Sequence, residues 1–332
     1  MNTAPIIVTV YDRVEHFRQC IGALGLNPLA KESDLFVISD AAKQPSHAEA
    51  VRHVREFAAD ISGFRKVNLV LRPENWGSFR STLEGIQRVL ADHDRFIFLE
   101  DDVIVSTNFL AYMNDGLEFF ADDPRFFSVC AFQFPFRLPR QLEGDVYLMP
   151  CGNSWGFAMW RRRFEEIDLE PKNRYQEVLQ NPELKARMAS IGRYLLSVLK
   201  HDSEGKLQAL DVRMAYHHVA RRMFSVFPRV SKSINIGFDG QGEHCGVVKD
   251  KQNLPTLDRS GNRMVFPLNL EIDPRVVRAY RRYQDANLAE RMVRIVRTVG
   301  AIELLRHARR RTVSLLRTKQ TSRGNLRKGT RR

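Results

Sequence analysis

An α/β chain built on a mainly parallel sheet flanked by helices is what the sequence predicts, on three observations. Short apolar runs rich in β-branched residues at 5–10, 35–39, 67–71 and 95–99 have the length and continuity of strands covered on both faces. Between them lie segments whose apolar residues recur at helical spacing. The two kinds of segment alternate about every thirty residues, the rhythm of βαβ units.

The first run, Pro5 to Val10, is followed by Tyr11-Asp12-Arg13. After the second run, Val51, Val54, Phe57, Ala58 and Ile61 mark a helix, and after the third so do Phe79, Leu83, Ile86 and Leu90. The fourth run leads through Glu100-Asp101-Asp102 to a helix carrying Phe109, Met113, Leu117 and Phe120, with Ser106 and Thr107 available as caps. Beyond about residue 125 the alternation stops. Strands are expected at 126–131 and 145–149, a tight segment passing into a helix at 154–163, and polar helical sequence over 168–205. A helix at 212–222, a strand at 224–231 and a glycine-bearing loop at 235–246 follow. Pro274 opens a basic region with a helical stripe of Leu288, Met292, Ile295, Val299 and Ile302, and its last dozen residues read as disordered. The expected organisation is therefore a domain over 1–250, divided into halves 1–125 and 126–250, and a basic helical extension over 275–332.

Composition bounds the function. At 332 residues, 43% hydrophobic and 27% charged, the chain has the make-up of a globular protein with a real core. No apolar run reaches the ~18 residues of a spanning helix, and the N-terminus lacks the basic and small-residue features of a secretory signal. Four scattered cysteines, Cys20, Cys130, Cys151 and Cys245, form no CxxC pair and argue against a zinc or disulfide scaffold. A cytoplasmic location is expected. The net charge of +13 is uneven: residues 275–332 hold 18 Lys or Arg against 3 Asp or Glu, a net of +15, which leaves the body at −2.

In an open α/β sheet, ligands bind outside the carboxyl ends of the strands. Four polar clusters fall there: Tyr11-Asp12-Arg13, Asp40, Arg72 with Asn75-Trp76-Gly77, and the acidic triplet. Three consecutive acids at the end of a buried strand repel one another unless a cation sits among them. A hard divalent ion, Mg²⁺ or Mn²⁺, held by one or two carboxylates and shared with substrate phosphates, resolves that repulsion. The competing reading has Asp101 or Asp102 capping the next helix. The chain has no GxxxxGK[ST] loop and no GxGxxG after the first strand, which excludes P-loop hydrolases and dinucleotide-dependent dehydrogenases. The glycine-rich N-terminal loop of a nucleotidyltransferase is also missing, while a non-catalytic binding module would not need the intact triplet.

Four blocks together resemble the GT-A glycosyltransferases, in particular bacterial family 2 sugar transferases and N-acetylglucosaminyltransferase I. They are Pro5–Arg13 with Phe17 and Cys20, Phe98–Val103 with its Glu-Asp-Asp form of the metal motif, Ser154–Trp160, and Asn235–Gly240 with His244-Cys245. The resemblance implies a metal-dependent, inverting transfer of sugar from a nucleoside-diphosphate sugar, UDP-linked, to an acceptor hydroxyl. It assigns Arg13 and Asp40 to the nucleotide, Asp102 to the metal, and Glu100 and Asp101 to donor sugar, ribose or water around the ion. His244 falls at a metal or diphosphate contact, and Asp211 at the general base. Two departures from the family pattern are Leu210, where an aromatic residue is usual beside the base, and the cluster His217, His218, Arg221 and Arg222 after it.

Some residues carry two readings. Asp211 can be a base or a helix cap. Trp155 can stack on a sugar or pack in the core, and Trp160 reads as core. His217 and His218 read as one packed and one solvated residue rather than as ligands. The basic tail suits an anionic bilayer surface, which would place the enzyme on the cytoplasmic face of the membrane with a saccharide or lipid-linked acceptor. It also fits a helix packed on the body. No nucleic-acid reading motif is present.

Overall fold

The four N-terminal runs form strands in a computed structural model that describes residues 3–170, 173–208, 210–237 and 255–286. They are β1 (Ile6–Val10), β2 (Asp34–Ser39), β3 (Lys66–Leu71) and β4 (Arg95–Glu100), linked by helices α1 (Val14–Gly25), α2 (Ala48–Ala59) and α3 (Gly77–Asp92). All four pair in parallel, in the order β3-β2-β1-β4. The chain then makes β5 (Val103–Val105), α4 (Phe109–Phe119), β6 (Phe126–Cys130), β7 (Val146–Met149), β8 (Phe157–Trp160) and α5 (Arg161–Glu165). Next come α6 (Arg174–Gln180), α7 (Pro182–Ile191), α8 (Arg193–Ser203), α9 (Leu210–Ala220), β9 (Phe224–Pro228), β10 (Ser233–Asn235) and α10 (Pro274–Ala286).

One sheet of eight strands, ordered β3-β2-β1-β4-β8-β6-β9-β7, runs through the body. Only β8 and β7 oppose the common direction, so the sheet is mostly parallel, as expected. The pleat distributes β1 to both faces. Ile6, Val8 and Val10 join Phe17, Leu24, Val54 and Leu110 on one side, and Ile7 joins Ile38, Ile86 and Phe96 on the other. Helices α1, α2 and α4 cover the first face, and α3 with α6–α10 covers the second. Gly85 lets α3 lie close to β2, since a Cβ there would stand 2.9 Å from Ile38 Cγ1.

Residues 154–163 differ from expectation. The tight segment is strand β8, inserted antiparallel between β4 and β6. Phe157, Ala158, Met159 and Trp160 are all buried, so no alternation marks them as a strand. The indole of Trp160 donates to the Leu117 carbonyl at 3.1 Å, in the core. The expected 224–231 strand stops at Pro228 as β9, and the unexpected β10 lies beyond it, where it pairs antiparallel with β5 in a separate two-stranded sheet. The expected extension begins inside α10, which belongs to the compact unit Met1–Ala286. Tyr280 lies 4.9 Å ring to ring from Phe134, and Gln284 is buried against α7. The stripe 288–302 and most of the 235–246 loop, His244 and Cys245 included, lie outside the described residues. Among the described residues no helix is long and apolar enough to cross a membrane.

Candidate functional site

The chain leaves β1 toward β2 on one side and returns to lay β4 on the other, so a crevice opens between the carboxyl ends of β1 and β4. Thr9 on β1 stands opposite Glu100, the last residue of β4. Asp101 and Asp102 make the turn into β5, and both are buried. Neither caps a helix, because α4 begins only at Phe109 behind Asn108.

Arg13, at the end of β1, reaches across the crevice. Its Nη2 makes a close ion pair with Asp101 and lies 2.9 Å from Asp102 Oδ2. Asp102 is held from a third side by β10, whose Asn235 Nδ2 donates to Oδ1 at 2.9 Å, while the Ile236 amide donates to the Asp102 carbonyl at 2.8 Å. Gly237 follows at the point of closest approach: a Cβ there would stand 2.0 Å from Asp102 Oδ2 and 3.1 Å from Arg13 Nη1. A side chain at 237 would collide with that oxygen, so only glycine lets the chain pass this close to Asp102.

Three carboxylates thus face one guanidinium, and the charge does not balance. Burial first, then Asp102 and Asp101, push the Glu100 carboxyl up to about 8 against the pull of Arg13, with Asp211 adding to the rise. Burial also leads in raising Asp101 to about 7, with Arg13 opposing and Asp102 reinforcing. Burial works against the charge on Arg13, but the two aspartates outweigh it and raise its pKa. The guanidinium supplies part of the counter-charge that the sequence alone assigned wholly to a divalent ion.

Among the described residues no three His, Cys, Asp or Glu side chains converge as a metal cage. A hard divalent ion shared with phosphates needs only one or two protein carboxylates. The site offers hard carboxylate oxygens and negative charge in excess of the one guanidinium, and Asp102 Oδ2 is met by the mobile head of Arg13 while Asn235 takes Oδ1, so the donor set fits Mg²⁺ or Mn²⁺.

On the β1–β3 side, the Tyr11 hydroxyl bonds His47 Nδ1 at 2.6 Å and accepts from the Lys43 amide at 2.8 Å. His47 Nδ1 also lies 3.6 Å from Asp12. Asp40 is buried and works as an anchor. Its carboxylate accepts from the amides of Ala41, Trp76 and Gly77 at 2.8–2.9 Å and from Asn75 Nδ2 at 3.2 Å, which ties the start of α3 to the end of β2. Arg72 is buried against Ser81 and pairs with Glu84; together with Arg80 it sandwiches the Trp76 ring, each guanidinium 4.2 Å from the centroid.

The later half of the chain contributes Trp155 and Asp211. Trp155 is half-buried, edge-on to Phe132 at 4.6 Å, and its carbonyl accepts from Ser233 Oγ on β10 at 2.6 Å. The strand that holds Asp102 therefore also holds Trp155. Asp211 is exposed in the first turn of α9 and lies within electrostatic reach of Glu100. Arg213 fixes that turn by pairing with buried Asp202 and placing its guanidinium 4.4 Å over Phe79 of α3. His217 and His218 are both buried. Burial drives His218 down to about 3 and its Nε2 bonds Ser225 Oγ at 3.0 Å, so both histidines belong to the core. Asn235 and Gly237 fall in a block that carries the family resemblance but were not singled out as contacts. Asn235 ends a three-residue strand and Gly237 follows it, so no periodicity marks their place beside Asp102.

No family model matches the chain, and no curated protein matches it. Among solved structures it is similar to S. aureus TarS, at 13% identity and TM-score 0.31 over 43% of this chain and 24% of that one. It is also similar to the mannosyltransferase PcManGT from Pyrobaculum calidifontis in complex with GDP-Man and Mn²⁺, at 12% identity and TM-score 0.37 over 66% and 73%. A third is GalNAc-T7 with UDP, GalNAc and Mn²⁺, at 12% identity and TM-score 0.43 over 69% and 42%. The chain spans 24% of the TarS structure it matches. Likeness of this degree carries no functional argument, so the chemistry has to come from the site itself.

Proposed function

We propose that this chain is a metal-dependent glycosyltransferase of the GT-A type, moving a sugar from a nucleoside-diphosphate sugar, UDP-linked, to an acceptor hydroxyl with inversion. One observation carries the reading: the described parts of four blocks that resemble those enzymes, far apart in sequence, gather at a single crevice. Arg13, Glu100–Asp102, Trp155 and Asn235–Gly237 are joined there by direct contacts or through β10.

In this reading Asp102, with Glu100 or Asp101 beside it, holds Mn²⁺ or Mg²⁺. When bound, the ion supplies Lewis-acid stabilisation of charge on the departing diphosphate. Arg13 donates to the diphosphate, a geometry that suits a planar guanidinium. Tyr11, Asp40, Arg72 and Asn75 shape the base and ribose side, with Asp40 acting through the loop and helix it anchors. Trp155 offers an aromatic face to sugar. Asp211 takes the proton from the acceptor hydroxyl as that oxygen bonds the anomeric carbon and the bond to phosphate breaks, a contribution of about 10²–10⁴-fold. His244 is a further proposed contact to the ion or diphosphate. The segment 287–332, with 14 Lys or Arg against 2 Asp or Glu, is proposed to hold the enzyme on an anionic bilayer, where a lipid-linked or saccharide acceptor is met.

The test is a panel of UDP- and GDP-sugars scored by thermal stabilisation with and without Mn²⁺. At least one donor should stabilise the protein only with the ion, and Asp102→Ala should lose that effect. Asp211→Asn should keep donor binding and lose transfer. A panel with no ion-dependent stabilisation would remove the enzymatic reading, and equal loss of binding and transfer in Asp211→Asn would reduce that residue to a structural role. Deleting residues after Ala286 should release the protein from anionic vesicles, and vesicle binding that survives the deletion would end the anchoring proposal.

A further inference from the structure

We propose that Arg13 is a resident counter-cation: it occupies the Asp101–Asp102 pair when no divalent ion is bound, and yields the pair to the ion when a nucleoside diphosphate receives its guanidinium. The inference deepens the reading above and rests on it. Its consequence is that ion and nucleotide bind with strong mutual dependence, because one side chain stands between them.

The argument starts from one oxygen. Asp102 Oδ1 is engaged by Asn235, so the carboxylate cannot turn to present another edge, and Oδ2 is the oxygen left for a cation. Arg13 Nη2 already sits on Oδ2 at 2.9 Å and contacts Asp101 as well. An ion approaching Asp102 there competes with a guanidinium for the same lone pair. The space around that contact is set by the backbone: Gly237 lies so close that any Cβ would collide with Oδ2.

The second half concerns where the guanidinium goes. Arg13 Nη1 is buried and has no hydrogen-bond partner among the described residues, a cost the structure carries while the side chain is held on the carboxylates. Arg13 belongs to the opposite bank of the crevice, at the junction of β1 and α1, so its backbone need not move for its head to leave Asp102. A diphosphate on that bank offers several anionic oxygens to both the unpartnered nitrogen and the one released. Such an exchange is a coupling free energy between two ligands and is reciprocal.

The experiment is a titration of the full-length protein with Mn²⁺, free ion being followed by electron paramagnetic resonance, alone and with UDP or GDP. Each titration is referenced to the nucleotide's own complex with the ion. In the wild type, nucleotide should tighten Mn²⁺ binding by about tenfold or more, within the usual range of such couplings. Arg13→Gln should bind Mn²⁺ alone about tenfold more tightly than the wild type, with most of the nucleotide's enhancement gone. Arg13→Lys keeps one positive charge but cannot bridge two carboxylates as a fork, and should change in the same direction by less. If Arg13→Gln does not fold, the sign of the Arg13→Lys change decides. Mn²⁺ binding that is unchanged or weakened in the variants overturns the resident-cation proposal and leaves the transferase reading intact. Failure of every form to bind Mn²⁺ with either nucleotide overturns both.

Discussion

Two buried charge clusters sit at the two ends of β10, one at Lys232 just before it and one where Asn235 meets Asp102, and they are built on opposite principles. Lys232 pairs with Asp258 one to one, and Asn108 Nδ2 and the Ser260 amide complete the carboxylate at 2.9 and 2.8 Å. Burial works to raise the Asp258 pKa, yet the bonds from Lys232, Ser260 and Asn108 override it and hold that carboxyl well below its ordinary range. At the crevice, three carboxylates share one guanidinium, and Glu100 and Asp101 are pushed up instead. The balanced cluster fastens the returning segment at 258 to the residue before β10 and to Asn108 at the start of α4. The unbalanced one leaves negative charge for something else to neutralise, the condition expected of a binding site rather than of a structural pair.

That contrast can be broken at either end. The largest effect should come from Lys232→Met, which strands a buried carboxylate and should cost about 3–5 kcal/mol of stability in urea denaturation. A loss under about 1 kcal/mol would mean that the pair is a passive contact. Next is the pH response of the crevice. A carboxyl whose folded pKa lies above its unfolded value binds more protons in the native state. Stability is therefore lost as pH rises from the ordinary carboxylate range through about 7 to 8. Glu100→Gln removes one such group and should raise the melting midpoint at pH 8.5, without divalent ions, by about 2–4 °C. That response corresponds to ~1 kcal/mol in a chain of this size, already discounted for the water reaching a half-buried side chain. At pH 5, where Glu100 is protonated, the variant and the wild type should melt together. A Glu100→Gln protein less stable at pH 8.5 would mean that the carboxylate makes a favourable bond instead. The Asp258 cluster has the opposite sign: its stability holds at neutral pH and fades only on strong acidification.

The two halves of the chain also differ in how well they could be read. Strands β1, β2 and β4 and helices α2 and α3 stand where apolar runs and helical spacing put them, because those strands are covered on both faces and those helices show one apolar stripe to the sheet. Strand β3, expected to be covered in the same way, is the edge strand and buries only Val70. After residue 125 the pattern weakens. Strand β8 is four buried residues with no alternation, β10 is only three residues long, and α10 hides its docking face within a basic sequence. Periods cannot be read from segments shorter than a period or two.

The candidate site divides the same way. Local chemistry at strand ends was enough to single out Tyr11, Arg13, Asp40, Arg72, Asn75 and the acidic triplet. What each does depends on partners that no local pattern contains. Asp40 meets the start of α3 some 36 residues away, Arg13 meets Asp101 at a separation of 88, and Asn235 meets Asp102 at 133.

Residue order by itself settled the class of fold and the clustering of polar residues at strand termini, since both follow from patterns of a few residues read against water and a core. Folding decided that a guanidinium rather than empty space faces the acids, that a glycine and an asparagine from a late strand close over them, and that one predicted ligand spends its oxygens on a helix terminus. Those contacts arise from the register in which distant strands pair, and register is a property of the assembled sheet.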